Sequence, residues 1–450
     1  MRELLESTAQ RAITYLEGLD TRAVAPDAAA VTNLAVLDEP LPQSSTPEAD
    51  VLRQLDELCS PATMAMAGPR FFGFIIGGAL PVTLAANWLA GAWDQNSALY
   101  NVTPATSHLE KVALRWLLEL FDLPPTCGGG FVTGATVANF TALAAARHGV
   151  LARAGWDVEA DGLIGAPPVT VVVGEEAHST LFKALGLVGL GRKRVVRVPA
   201  DRQGRMRADA LPPLSGPTIV CAQAGNLHSG AFDPLDEICE WAHDAGAWVH
   251  VDGAFGLWAA AVPSLAYLTP GLADADSWGT DFHKWLNVPY DSGLALVRDA
   301  DALRAAMSIT AEYLPTDSPL RNPSDFAPEL SRRARGVEVW AALRHLGRAG
   351  VVDLIERTCR HARRFAAGLQ EAGYEVLNEV ALNQVCVSFG DAATTNRVVA
   401  AIQQDGTCWA GPTVWQGRAA MRISVSSWAT TEEDVERSLK AMIRVAGEQQ

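Results

Sequence analysis

Four short β-branched runs constrain this chain more than any other feature: Val169–Val173, Arg194–Val198, Thr218–Cys221 and Ala247–Val251. Such runs are too short for helices and lack the strict alternation of a half-wet strand. They suit strands covered on both faces of a largely parallel sheet. Between the last two lies a segment with helix punctuation. Asp233 is placed as N-cap and Pro234 as the first helical residue; Leu235, Ile238, Trp241 and Ala242 form one face, and Gly246 stops it. Upstream, Leu109, Val112, Ala113, Trp116, Leu117 and Leu120 recur at helical spacing behind a Ser107–Glu110 capping box. Strand–helix–strand units from Asp50 to Asp299 predict a doubly wound α/β domain, which holds ligands at the carboxyl ends of its strands.

The flanks read differently. Residues 1–60 are expected to form an N-terminal helical segment, with a connector of turn chemistry ending near Pro47. Residues 61–310 form the large domain. Residues 311–450 open on a Pro-rich loop, continue as helices, and include strand-like runs at Gln384–Phe389 and Ala420–Val425. A capping box at Thr430–Glu433 starts the last helix, so a small α+β C-terminal domain is expected. The run from Phe71 to Trp93 holds 23 residues without a charge, long enough to span a bilayer. Its glycines, Pro81 and Asn87 favour a buried core segment containing a loop, and no membrane association is expected.

Charge and cysteines narrow the function classes. Lys plus Arg is 36 and Asp plus Glu is 51, a formal net charge of −15. That balance opposes a nucleic-acid partner, which needs clustered cations. It does not oppose a small anion, which a few local N–H donors can hold. The seven cysteines form no CxxC pair, so neither a disulfide scaffold nor a zinc site is expected, and a reducing cytoplasm is.

Four segments carry chemistry. The first is Ser277-Trp278-Gly279-Thr280-Asp281-Phe282-His283-Lys284-Trp285. A lysine after a short strand, among aromatic neighbours, can serve as an amine nucleophile toward a carbonyl. The bland alternative is a surface lysine. The second is His250-Val251-Asp252-Gly253-Ala254, where a carboxylate ends an apolar strand. Asp252 is a ligand group in the crevice, a turn former or a metal ligand. A lysine for an aldehyde and a carboxylate for a pyridinium nitrogen are the two parts that pyridoxal phosphate (PLP) requires. The third is Thr133-Gly134-Ala135-Thr136, small residues opening a helix whose free N–H groups suit a phosphate. Gly128-Gly129-Gly130 just before it is a nucleotide-type loop or a plain loop. The fourth is Glu175-Glu176-Ala177-His178-Ser179, after a strand. Its histidine stacks on a planar group, moves protons or merely makes a structural hydrogen bond, and its glutamates read as a solvated turn.

In this order the segments resemble the group II PLP-dependent amino acid decarboxylases. That family includes the aromatic amino acid, histidine, glutamate and cysteine-sulfinate enzymes and has the aspartate aminotransferase fold (fold type I). Thr103-Pro104-Ala105, Gly230-Ala231-Phe232-Asp233, Pro289-Tyr290-Asp291-Ser292-Gly293 and Ser331-Arg332-Arg333 extend the resemblance. It implies an α/β large domain with a small C-terminal domain, PLP as cofactor, an amino acid substrate and a homodimer with Trp93 to Thr106 near the neighbouring subunit. It implies that Lys284 holds PLP as an aldimine, that Asp252 pairs with the ring nitrogen, and that Ala254 and His178 cover the two ring faces. Lys284, His178 and Asp252 are thus the expected catalytic residues, and no metal is expected. Gly134, Ala135, Thr136 and His283 surround the phosphate, joined by Thr280, while Asn226 lies near the ring hydroxyl. The loop Ile75–Leu80, with Ile76 and Gly77, shapes the substrate pocket. Arg422 meets a substrate carboxylate or forms a salt bridge within its own domain. The implied reaction is decarboxylation with the charge left at Cα drawn into the pyridinium.

Two departures leave alternatives open. The family's usual Asp-Ala-Ala-Tyr is here Asp252-Gly253-Ala254-Phe255. Many members also carry a proton-donating tyrosine on a loop after the lysine, and residues 315–330 contain none; Asn322 and Phe326 lie nearest the expected place, with Tyr313 just before it. An aldehyde synthase, an aldolase or other lyase, an aminotransferase and a non-catalytic scaffold therefore stand beside the decarboxylase.

Overall fold

The computed structural model describes residues 1–309 and 320–449. Its helices and strands, in chain order, begin with α1 (Arg2–Glu17), α2 (Ala28–Asn33), α3 (Glu48–Cys59), α4 (Pro81–Trp93) and α5 (Pro104–Leu120). The α/β alternation follows: β1 (Gly128–Val132), α6 (Ala135–Arg153), α7 (Val158–Asp161), β2 (Thr170–Gly174), α8 (Ser179–Leu187), β3 (Val196–Val198), β4 (Thr218–Gln223), α9 (Leu235–Asp244), β5 (Trp248–Asp252), β6 (Ser277–Asp281), β7 (Gly293–Val297) and α10 (Ala300–Met307). The chain then runs through α11 (Gly336–Glu371), broken at Gly347, then β8 (Glu375–Val376), β9 (Gln384–Ser388), α12 (Ala392–Asp405), β10 (Gly411–Trp415), β11 (Arg418–Ser424) and α13 (Glu432–Glu448).

Two compact units emerge. One comprises Met1–Gly78, His361–Leu377 and Val385–Gln450; the other comprises Ala79–Arg360 and Asn378–Gln384.

The second unit is built on a seven-stranded sheet in the order β1-β7-β6-β5-β4-β2-β3. β3, β2, β4, β5 and β6 run parallel to one another, and β7 runs antiparallel to both β6 and β1. All four β-branched runs become strands of this sheet. Leu143, Val171, Val173, Ile219 and Trp248 share one core cluster beneath α6 and α8. Burial of such side chains stabilises by about 1.5–3 kcal/mol each.

In the first unit, β10 pairs antiparallel with β11, and β8 with β9, in a four-stranded sheet. Phe71 stacks on Trp409 at 5.0 Å, in a cluster with Leu19, Val24 and Ile76. The buried Arg70 meets Asp434 at 3.1 Å.

Several local expectations change. The Ser107–Glu110 box is not a cap: α5 starts earlier, at Pro104, and Glu110 is a buried ion-pair partner. Asp233 does not cap α9; its carboxylate accepts from the backbone N–H of Met206 and Gln223, both at 2.7 Å. The last helix is capped one residue later, by the Thr431–Asp434 box. The N-terminal connector contains α2, whose start Asp27 caps. Gly128-Gly129-Gly130 is strand β1 rather than a loop. A Cβ at Gly130 would sit 1.9 Å from the Phe326 carbonyl oxygen, so glycine lets the covering chain approach. In the uncharged run, Phe71 to Leu80 is mostly buried, yet Trp88, Leu89 and Trp93 of α4 are exposed. No helix among the described residues is long and apolar enough to cross a membrane.

Candidate active site

The carboxyl ends of β2, β4, β5 and β6 place the expected residues of the second unit at one edge of the sheet. Register aligns Gln223 with Asp252 and Asp252 with Gly279, so β4, β5 and β6 end together. Asp252 and His178 line one small cavity with Glu176, Gln223 and Asp233.

Asp252 is buried. Its Oδ2 accepts from Asn139 Nδ2 at 3.1 Å and its Oδ1 from the Ala254 N–H at 3.3 Å. His178 caps α8, with Nδ1 accepting from the Thr180 N–H at 3.4 Å and lying 2.6 Å from its hydroxyl. The residue is half-buried. Of the two glutamates before it, only Glu175 is exposed. Glu176 is partly covered, and burial pushes its carboxyl up, so the solvated-turn reading holds for one of the pair.

Lys284 follows β6. Its Nζ lies 2.9 Å from Oδ2 of the buried Asp281. Asp281 Oδ1 accepts from the Ala135 N–H at 2.5 Å and lies 3.3 Å from His283 Nε2. His283 Nδ1 accepts from the Ser292 N–H at 3.1 Å, so its proton sits on Nε2, toward Asp281. Burial pushes this imidazole below its ordinary value, and Tyr290 stacks on it at 4.3 Å.

Gly134 is the hinge of this corner. A Cβ there would lie 2.9 Å from His283 Cε1 and 3.0 Å from Asp281 Oδ1. Ala135 and Thr136 begin α6, where N–H groups have no acceptor within the helix. Thr280 is buried and donates to the Ala254 carbonyl at 3.4 Å. Asn226 is turned onto its own loop: Oδ1 accepts from His228 and Ser229 N–H, and Nδ2 donates to Gln223. Ile76, Gly77 and Arg422 belong to the first unit. Ile76 packs with Phe71, and burial on β11 pushes the Arg422 guanidinium down. Tyr313 lies outside the described residues. Asn322 Oδ1 accepts from the Tyr100 N–H at 3.1 Å, and the Arg321 guanidinium covers the Phe326 ring.

The donor set fits PLP. It offers an amine on Lys284, a buried carboxylate on Asp252, a histidine sharing its cavity, and a helix start kept open by glycine. Sequence reasoning gave no role to Asp281, Asn139 or Gln223. Asp281 stands in plain view inside the lysine motif; Asn139 lies in the second turn of α6, where only the packing of α6 on β5 and β6 reveals it. Among the described residues no group of three or more His, Cys, Asp or Glu could hold a metal ion.

Comparison with known proteins shows the family. Residues 32–389 match the pyridoxal-dependent decarboxylase conserved domain. Tryptophan decarboxylase 1 of Oryza sativa subsp. japonica is 28% identical over 433 residues, covering 88% of this chain and 83% of that protein. L-2,4-diaminobutyrate decarboxylase of Rhizobium meliloti (strain 1021) is 29% identical over 431 residues, covering 91% and 84%. The crystal structure of Oryza sativa TDC with PLP and tryptamine superposes with a TM-score of 0.91 at 24% identity, covering 99% of this chain and 97% of that one.

Proposed function

The chain belongs to the pyridoxal-dependent decarboxylase family, PLP-dependent carboxy-lyases of amino acids, and on that premise we propose that it releases CO₂ from an L-amino acid with Lys284 as covalent anchor of the cofactor. The observation that carries this reading is that Lys284, Asp252 and His178 lie at the carboxyl ends of β6, β5 and β2 of one sheet, with Asp252 and His178 lining the same cavity. PLP, when bound, supplies an electron-poor ring that accepts the electron pair left by the departing carboxylate.

The protein's share is positioning and electrostatics. Asp252, fixed by Asn139 and Ala254, would present its carboxylate to the ring nitrogen of the cofactor. Gly134, Ala135, Thr136 and His283 would surround the phosphate end, with the Ala135 N–H itself already donated to Asp281. His178 would cover a ring face; its Nδ1 accepts from the Thr180 N–H, which puts its proton on Nε2. Lys284 would supply the amine that holds the cofactor's aldehyde, with Asp281 Oδ2 2.9 Å from its Nζ to orient it.

Residues 315–330 contain no tyrosine, which favours a second reading, decarboxylation with oxidative deamination to an aldehyde. One experiment separates the two. The purified protein is incubated with single amino acids, tryptophan and L-2,4-diaminobutyrate first, and scored for CO₂, amine, aldehyde, peroxide and ammonia. Amine with CO₂ supports the first reading; aldehyde and peroxide without amine support the second. Borohydride should fix PLP on Lys284, and full activity in Lys284→Ala would overturn both.

The exposed Trp88, Leu89 and Trp93 on an uncharged helix support a homodimer through α4 and the following segment to Thr106. Six of the seven free cysteines are buried, which supports a reducing, cytoplasmic setting. Light scattering at micromolar concentration tests the dimer.

A further inference from the structure

A continuous chain of buried hydrogen bonds runs from Trp248 to Asp252. Trp248 Nε1 donates to Ser277 Oγ at 2.9 Å. Ser277 Oγ lies 3.0 Å from His250 Nδ1, and His250 Nε2 lies 3.1 Å from Asn139 Oδ1. Asn139 Nδ2 reaches Asp252 Oδ2 at 3.1 Å. Ser277, His250 and Asn139 are all fully buried.

Both ends of the chain fix its direction. An indole N–H can only donate, so Ser277 Oγ accepts from Trp248 and has its own proton for His250 Nδ1. At the other end, an ionised carboxylate can only accept, so Asn139 turns its NH₂ to Asp252 and its oxygen to His250. Nε2 of His250 must then carry the ring proton, and Nδ1 must accept. The two arguments meet on one tautomer. Burial pushes the His250 imidazole down to about 3, so the ring is neutral and carries one proton. Every N–H and O–H dipole in the chain points toward Asp252, and aligned donors polarise one another. β6 makes room for the arrangement: a Cβ at Gly279 would lie 2.5 Å from Asn139 Oδ1.

We propose that Asn139 is a positioning residue for the ring-nitrogen partner: backed by His250, Ser277 and Trp248, it aims the Asp252 carboxylate and stabilises its charged form, so that PLP is gripped at its pyridine nitrogen. The proposal rests on the assignment of Asp252 to that nitrogen. Leucine at position 139 has similar bulk but breaks the chain, leaving Asp252 Oδ2 without a side-chain donor. The remaining carboxylate contact is the long one from Ala254.

The test measures dissociation constants of the purified apoprotein for two probes: PLP, and a PLP analogue with carbon in place of the ring nitrogen. Asn139→Leu should weaken PLP about tenfold, the loss expected of one buried hydrogen bond to a charged group, and weaken the analogue little. Ser277→Ala, a smaller change, should weaken PLP about threefold with the same contrast, and it carries the test if Asn139→Leu fails to fold. Equal losses for both probes, or no loss for PLP, overturn the proposal. If the unaltered protein binds neither probe, the functional reading fails instead.

Discussion

Lys284 Nζ stands 2.9 Å from Asp281 Oδ2, and the same carboxylate takes the first N–H of α6. One buried acid thus serves the amine that anchors PLP and the helix start that faces its phosphate. At 2.9 Å the carboxylate holds the amine in an ion pair that must open before the nitrogen can attack an aldehyde. A carboxylate beside a phosphate is also unfavourable. Asp281→Asn should therefore capture PLP faster, by about three- to tenfold near neutral pH, the effect of about 1 kcal/mol. Borohydride trapping at timed intervals reads this directly. A slower capture would show that Asp281 orients the amine more than it restrains it.

The close approach at Gly134 gives a second outcome. A Cβ there meets two side-chain ends, His283 Cε1 and Asp281 Oδ1, which must shift. A Cβ at Gly293 instead meets the Gly134 backbone, with Cα at 2.5 Å, at the turn into α6, where no side-chain rotation can relieve the clash. Gly134→Ala should weaken PLP binding while changing apoprotein stability by under about 1 kcal/mol. Gly293→Ala should destabilise the apoprotein by about 1–3 kcal/mol. Urea unfolding and PLP titration of both variants check the pair; equal stability losses would contradict it.

Contiguity decided what could be read from the sequence. Lys284 and Asp252 each sit in a compact motif at a strand end, and the β-branched runs declared the parallel sheet. Asn139, Ser277 and Trp248 could not be read so, because their meeting depends on the register of β5 with β6 and on the packing of α6. Glu110 was misplaced for a related reason. Ser-x-x-Glu matches a capping box, yet the helix starts at Pro104, and the glutamate faces Arg332 from a residue distant in sequence. The triple glycine of β1 reads as a loop until the overlying carbonyl of Phe326 is known.

Glu110 binds two arginines, Arg332 at 2.8 Å and Arg321 at 3.2 Å, with Glu110 and Arg332 essentially closed to solvent. Arg332 also donates to the carbonyls of Ser97 and Phe131, and Arg321 to that of Gly129. These bonds tie the chain after the lysine motif to α5 and β1. Glu110→Gln strips the negative charge from two buried cations. A loss of about 3–5 kcal/mol in urea unfolding is expected. Stability within about 1 kcal/mol of the unaltered protein would mean that the carbonyl acceptors suffice.

His250 links the hydrogen-bond chain to acid stability. Its folded value is about 3, against 6.5 for an ordinary imidazole. As pH falls through about 6.5 the unfolded chain takes up a proton that the folded chain refuses until about pH 3. The unfolded state then binds more protons, so stability falls with falling pH across that window. At pH 5 this group alone should have cost the fold about 2 kcal/mol relative to pH 7 or above. Glutamine at 250 can donate to Asn139 and accept from Ser277 but does not titrate. In urea unfolding of the apoprotein, His250→Gln should thus be less stable than the unaltered protein at pH 7.5, and the gap should shrink by about 2 kcal/mol at pH 5. Parallel stability curves across that range would mean that His250 takes up its proton in the folded state, and the tautomer that orders the chain from Trp248 to Asp252 would fail with it.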